Sequence, residues 1–340
     1  MPLTPIAGVQ RLRAMQIGKE STFGTQVAAT RRVPYSFMPT LDPHVTYPTA
    51  EVGALSPAIA PYRTGEDVTG QATGILFANE APYLFSPGLK GNVSSTGGGA
   101  AKTWTYQPAD LTQDVYDTYT VEWSDDATGD GFAYTGGIID RLQLGYPQDL
   151  GPITVQADWR FAGHVYPQTP TAALQVDPAP TPFYAADTAL YIDSTSGSMG
   201  ITQLLSSMHD ATVTINNATD VKRFANGSNT RFKVAGYGRG PRLIEATFTF
   251  AKSTAAIAEA TKWLNESPQE RFLSLDTTST VMITGSTPYQ QTLRFAGFWF
   301  TRSNPTVGTN TAIQLVMHGF LDQTLTYPIK ATVVNSLGSL

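Results

Sequence analysis

Apolar and polar residues alternate in many short stretches of this chain, and two of the longest, Phe132 to His164 and Tyr289 to Phe320, resemble each other. In each, an alternating strand reaches a pair of small residues, Gly136-Gly137 or Ala296-Gly297, and ends at an arginine, Arg141 or Arg302. A turn rich in proline and glycine follows, Gly145 to Pro152 or Asn304 to Gly308. A second alternating strand then closes on a glycine beside a histidine, Gly163-His164 or His318-Gly319. Alternation with period two marks a strand with one buried face. Setting Gly163 against Gly319 brings Trp159 and Phe161 in line with Leu315 and Met317, apolar on the same positions. The pattern predicts one β-hairpin used twice, and so a duplicated domain.

The remaining elements fall into the same two series. Residues 1–30 read as an N-terminal arm, broken by Pro2, Pro5 and Gly8. Arg32 to Leu41 alternates as a strand that Pro34 confines to an edge. Asp42 to Thr69 is a long loop crowded with prolines that still carries Tyr47, Leu55, Ile59 and Tyr62. A loop of that length and composition is expected to pack against something. Its counterpart, Asn216 to Gly240, reads as a hairpin turning at Asn226-Gly227 and carrying Arg223, Phe224 and Phe232.

Each loop leads to a strand and a short helix. The first helix is expected over residues 80–84, capped by Asn79, with Pro82 in its first turn and a stop at Pro87-Gly88. The second is expected over 254–265, capped by Ser253, with Ile257, Ala260 and Leu264 as its buried stripe. Strands 115–124 and 271–280 then enter the paired hairpins. Pro167, Pro170, Pro178, Pro180 and Pro182 make a stiff connector. The predicted division is an arm at 1–30, a first domain at 31–165, a Pro-rich linker at 166–203, a second domain at 204–334 and a tail at 335–340. Arg294 to Thr301 departs from simple alternation, with Phe295 and Trp299 on one face and Phe298 and Phe300 on the other. Such a strand is expected to be covered on one side by the core and on the other by another subunit.

Composition narrows the class. Hydrophobic residues at 41 % with charged residues at 14 % and a heavy Thr, Gly and Pro load favour strands, and 340 residues suit two domains. The fold class expected is mostly β, with two tandem β-barrel or sandwich domains, each flanked by one short helix. A net charge of −5 argues against a surface that grips nucleic acid, though it permits one that lets nucleic acid pass. With no cysteine, disulfides and thiolate metal sites are excluded. Arg11 and Arg13 interrupt the place of a signal-peptide core, and no apolar run approaches the ~20 residues of a membrane helix. Folding in a cytoplasm, away from membranes, is expected.

Candidate chemistry is sparse. Gly97 to Thr103 has Ala101 where a phosphate loop needs glycine before Lys102, so it reads as a flexible loop. Gly236 to Gly240 lacks the helix of a dinucleotide site and reads as turn glycines. Asp125 to Gly131 reads as a hairpin tip, a metal being the alternative, because the alternate-position ligands and closing Glu of a calcium loop are missing. The four histidines, His44, His164, His209 and His318, show no ligand spacing. No cofactor and no catalytic residue is assigned. Beside a structural role stand a β-sandwich receptor- or carbohydrate-binding protein, and a glycosidase built on a pair such as Asp125 and Asp130.

Three phrases carry a family resemblance: Ile17-Gly-Lys-Glu-Ser-Thr-Phe-Gly-Thr25, Arg63-Thr-Gly-Glu-Asp-Val-Thr-Gly70 and Met208-His-Asp-Ala-Thr-Val-Thr-Ile-Asn-Asn217. With the doubled order of parts, they make the chain resemble the major tail tube proteins of long-tailed, non-contractile bacteriophages. The resemblance implies β domains with a flanking helix, arranged as rings stacked into a tube for DNA ejection. Single-domain members form hexameric rings, so two domains per chain imply trimeric, pseudo-sixfold rings. It further implies a virion protein assembled in the host cytoplasm, with tape measure and tail terminator or tip proteins as partners, and genomic DNA passing without specific binding. No catalytic residues carry over. The subunit interface is expected to use Tyr47, Leu55, Ile59, Tyr62, Arg223, Phe224, Phe232, Phe298 and Phe300, and removing Val221 to Gly236 is expected to leave a folded chain that cannot polymerise.

Overall fold

The computed structural model describes residues 13–47, 61–109, 114–124, 130–205, 207–224, 234–264, 269–322 and 324–340. Among the described residues the fold is mostly β with two α-helices, and the strands do not close a barrel. The first half contains β1 (Ala14–Lys19), β2 (Arg31–Val33), β3 (Ser36–Asp42), β4 (Val45–Thr46), β5 (Tyr62–Arg63), β6 (Asp67–Ile75), α1 (Ala81–Gly88), β7 (Lys102–Tyr106), β8 (Tyr119–Ser124), β9 (Gly131–Tyr146), β10 (Thr154–Phe161) and β11 (Gly163–Gln168). The second contains β12 (Thr188–Asp193), β13 (Met208–Asn216), β14 (Thr219–Lys222), β15 (Gly236–Arg239), β16 (Leu243–Ala251), α2 (Thr254–Lys262), β17 (Arg271–Thr284), β18 (Thr287–Ser303), β19 (Thr306–Val307), β20 (Asn310–Gly319) and β21 (Ile329–Asn335).

One antiparallel pairing scheme runs through both halves. In the first, β1 pairs β8, β8 and β11 flank the start of β9, and the far end of β9 passes to β10, then β6, then β3. In the second, β12 pairs β17, β17 and β21 flank the start of β18, and its far end passes to β20, then β16, then β13. The hairpins β4–β5 and β14–β15 stand outside these ladders at matching places. Registers agree as well. Strand β9 leaves β8 at Gly137 and takes up β10 at Ile138, while β18 exchanges β17 for β20 at Gly297. Both glycines are required by crowding: a Cβ on Gly137 would sit 2.8 Å from the Tyr119 carbonyl oxygen, and one on Gly297 2.8 Å from that of His318. Beyond each glycine one extra residue bulges from the ladder, Asp140 in β9 and Phe300 in β18.

These bulges fix the correspondence between the copies. Phe161 matches Gly319 and Trp159 matches Met317, two residues away from the alignment made on the sequence. A slip of two leaves every side chain on its own face, so alternation alone does not detect it. His164 on β11 and His318 on β20 are therefore not equivalent.

Other local expectations shift for identifiable reasons. Residues 14–19, read as part of an arm, form β1, whose Met15 and Ile17 are buried. Residues 188–193, read as linker, form the matching strand β12. Pro34 divides the strand expected over 32–41 into β2 and β3, since it cannot donate to a ladder. Helix α1 runs through Pro87 to Gly88 with all eight residues buried, so packing outweighs the proline. Asn79 does not cap it; its amide donates to Asp177 (2.8 Å). Ser253 does cap α2, accepting from the Ala256 N–H at 3.1 Å. The buried face of α2 is Ala256, Glu259 and Ala260, however, while Ile257 and Leu264 point outward. Glu259 turns inward to meet buried Arg271 at 2.8 Å.

Buried carboxylates tie loops to the core. Glu20 accepts from the Gly24 and Gly136 N–H groups and from the Thr118 and Thr120 hydroxyls at 2.7–2.9 Å, and this gives the phrase Ile17 to Thr25 its structural meaning. Glu80, fully buried, accepts from Arg31 at 2.5 Å. Burial raises the Glu80 carboxyl above its usual range, against the pull of Arg31. A raised carboxylate means that the native chain holds this proton to higher pH than the unfolded chain does. Its contribution is thus present below the ordinary carboxylate range of about 4 and is lost as pH rises through the raised value. Glu80→Gln should remove that loss, so its thermal midpoint relative to the native chain should climb with pH above about 4. A difference independent of pH would refute this account.

Candidate assembly and channel surface

Besides the ladder of β7 on β21, in which Ala331 opposes Tyr106, the two halves join through β13 on the far end of β9, in which Ala211 opposes Tyr146 and Asn216 opposes Arg141. The result is an unbroken antiparallel run of eight strands, β3-β6-β10-β9-β13-β16-β20-β18, with four from each half. Alternation gives this run two unlike faces. One is core: Val68, Ala157, Trp159, Leu142, Val213, Ala246, Phe248 and Leu315 are all buried. The other carries Gln71, Asp158, Gln143, Thr214, Thr247 and Gln314 among its polar residues.

That polar face is largely satisfied by its own groups. Arg160 bonds Asp140 (2.9 Å), Arg141 lies 3.8 Å from Asp158, and the Gln71 amide donates to Asp158 (2.9 Å). Its two central guanidinium groups are neutralised by neighbouring carboxylates. Such a face offers a polyanion little to hold, because phosphate binding needs clustered cations free to replace counterions.

At the joint, Asn217 is fully buried: its amide donates to the carbonyls of Gly88 (2.7 Å) and Ile139 (2.9 Å), and its side-chain oxygen accepts from Arg242 (2.9 Å). Arg242 also reaches the Leu89 carbonyl and the Tyr116 hydroxyl, and Arg239 lies over the Tyr116 ring at 4.7 Å. Burial pushes the Tyr116 phenol well up, so it stays neutral. Tyr237 on β15 packs edge-on against Phe23 (5.5 Å) and donates to the Gly136 carbonyl (2.9 Å). The β14–β15 hairpin is thus a clamp on its own chain's first half. Within 221–236, expected to serve contacts between subunits, the Val234 N–H donates to the Ala162 carbonyl of the same chain (3.2 Å). Gly236 to Gly240, read as turn glycines, supplies strand β15.

Of the residues expected at a subunit interface, Tyr47, Tyr62, Phe224 and Phe300 are exposed. Phe298 is half-buried against Phe320 (4.5 Å). Phe300 stacks on His318 at 4.2 Å. Arg223 binds within its own chain, to Asp67 and the Glu66 carbonyl. Leu55, Ile59 and Phe232 lie outside the described residues, as do 125–129 of the acidic loop; its remaining Asp130 accepts from the Tyr166 hydroxyl (2.9 Å). Lys102 donates to the Gly97 carbonyl, closing the glycine loop on itself. Sequence reasoning missed Asn217 and Arg242. The signal was available, since Asn217 ends the stretch Met208 to Asn217 that carries the family resemblance, but an asparagine reads as a turn residue until its buried partners are known.

The family model described as phage tail tube protein matches residues 10–331. The chain belongs to that family. This tail tube protein is a structural component of the phage tail, in a family whose members assemble with themselves into a tube. Among the curated proteins no match to it is found. No helix among its described residues is long and apolar enough to cross a membrane.

Proposed function

We propose that three copies of this tail tube protein close into a pseudo-sixfold ring, each half of the chain serving as one tube domain, and that the rings stack into the conduit for DNA ejection. The polar face of the eight-stranded sheet lines the bore. The observation that supports this best is the sheet itself, which has matched sets of four strands, one apolar face covered by core, one self-neutralised polar face and, among the described residues, an unpaired edge at each end. Three such sheets side by side would present a wall of uncharged and paired polar groups, along which a duplex slides because nothing holds it. Ring closure would also remove the open strand edges, which otherwise invite uncontrolled pairing. The ends of such a tube are where tape measure and terminator proteins would bind.

Negative-stain images of the purified chain test the reading. Rings or tubes with a central bore are expected. A chain that stays a monodisperse monomer across protein concentration, salt and pH would overturn it.

A further inference from the structure

We propose that Glu66 and Asp67 fasten the β4–β5 hairpin to the body of the chain through a proton-dependent clasp, closed while His164 is charged and loosened as it loses its proton. Such a clasp acts within a single chain and needs no tube. Its centre is the phrase Arg63 to Gly70, one of the three that carry the family resemblance.

The two carboxylates stand where the hairpin returns into β6, and each reaches in two directions. Glu66 takes the Arg63 guanidinium from the hairpin on one oxygen and Nδ1 of His164 from β11 on the other (2.6 Å). Asp67 takes Nε2 of His44 at the hairpin's entry (3.0 Å) and the Arg223 guanidinium, just beyond β14 in the second half (2.5 Å). Arg223 also donates to the Glu66 carbonyl (2.6 Å), and Asp42 lies 3.8 Å from His44. Phe132, at 6.1 Å, and Tyr134, whose phenol burial keeps neutral, bring His164 no charge of their own.

Three carboxylates thus face two guanidinium groups and two imidazoles. With both imidazoles charged every carboxylate has a cation, and with both neutral one has none. A closed clasp therefore holds the His164 proton more tightly than an open one, because an adjacent carboxylate favours the charged ring. The sign is fixed by that preference: the contribution is full below the ordinary histidine value of about 6.5 and is lost as pH rises through the midpoint of the paired ring. Below about 4 the carboxylates take up protons and the clasp fails from the other side. The side chains of Glu66 and His164 are only 12 % and 21 % exposed, so solvent screens this pair less than it screens the outer pairs of Asp67.

The second half holds the matching hairpin by different chemistry. Gly70 opposes Trp159 as Ala246 opposes Met317, which puts Glu66 in the place of Arg242. Arg242 secures the β14–β15 hairpin by donating to Asn217, the Leu89 carbonyl and the Tyr116 hydroxyl. That anchor is always charged and its partners stay neutral, whereas Glu66 depends on a ring that changes charge between pH about 5 and 8. One hairpin is held throughout this range and the other conditionally. The conditional one exposes Val45, Tyr47 and Tyr62, so the clasp decides where those apolar groups stand.

The chain has no cysteine, so a spin label on Val45→Cys reports the hairpin without background, and one on Thr154→Cys, exposed on β10, serves as reference. Electron paramagnetic resonance of dilute, unassembled chain is compared at pH about 5.5 and about 8.5, on either side of the ordinary imidazole value. The mobile fraction at Val45 should rise at least about threefold between them, the ratio that half a pKa unit represents, while the reference stays constant. With Glu66→Gln it should be high at both. With His164→Gln, which keeps a donor and never charges, the rise should vanish. Thermal melts show that each variant is folded, and if Glu66→Gln is not, the native series and His164→Gln still decide. Equal mobility at both pH values in the native chain would overturn the clasp, as would a rise that persists in His164→Gln. Rings in micrographs without any pH effect at Val45 would leave the tube reading standing, and a responsive hairpin in a chain that never assembles would leave only the clasp.

Discussion

Replacing Asn217 by leucine should destabilise the chain by about 3–5 kcal/mol, because it strands several buried polar groups at once. The asparagine is fully buried and makes three side-chain hydrogen bonds at 2.7–2.9 Å, two to main-chain carbonyls and one from Arg242. Leucine is close in size, so little cavity forms. What is lost is the pairing of the Gly88 and Ile139 carbonyls and of one guanidinium N–H, each left buried at a cost of about 1–3 kcal/mol. The backbone N–H of residue 217 still reaches the Asp140 carbonyl, so the ladder itself survives. Urea denaturation checks the magnitude, with the midpoint falling at an unchanged slope. Asn217→Asp sharpens the test: a carboxylate facing two carbonyl oxygens should be worse than leucine at neutral pH and should recover on acidification as it protonates. A loss below about 1 kcal/mol for leucine would mean that the joint is held by the strands alone.

Phe300→Asp should do the opposite, leaving the monomer intact and crippling assembly. The ring is 60 % exposed, rests on His318 and lies outside the packed core, so its removal should change unfolding free energy by no more than about 0.5 kcal/mol. Within a tube the same ring would sit among Trp263 and Leu264 at a covered surface. An aromatic anchor there is worth about 2–4 kcal/mol, which raises the concentration needed for assembly by about thirty- to a thousand-fold. Light scattering against protein concentration, with thermal melts of the same samples, separates the two effects. Tubes forming at the native concentration would place Phe300 on an outer surface instead. A large drop in the melting midpoint would mark it as part of the core.

The two results would bear on the same architecture from opposite ends. Asn217 seals the joint that each chain finishes alone, and Phe300 stands at the matching place that a single chain leaves open. The bulge at that place puts unlike side chains at matching positions: Asp140, extra in β9, turns its carboxylate to Arg160 and to the Thr219 N–H, whereas Phe300, extra in β18, turns an aromatic ring to solvent.

What the sequence determined by itself was everything with local cause: the mostly β class, the two helices, the Ser253 cap, and the doubled hairpin read from alternation and paired glycines. Alternation determines which face a residue takes, and no more. The tertiary structure decided the register between the copies, since a slip of two residues keeps every face and only the matching bulges at Asp140 and Phe300 forbid it. It also decided that residues 14–19 and 188–193 are strands, because six residues beside prolines and glycines acquire that shape from the neighbour they pair with. The burial of Asn217, the inward turn of Glu259 toward Arg271, and the two edges left open at β3 and β18 belong to the same class. Each depends on partners distant along the chain, and a side chain's polarity says what it needs without saying where it finds it.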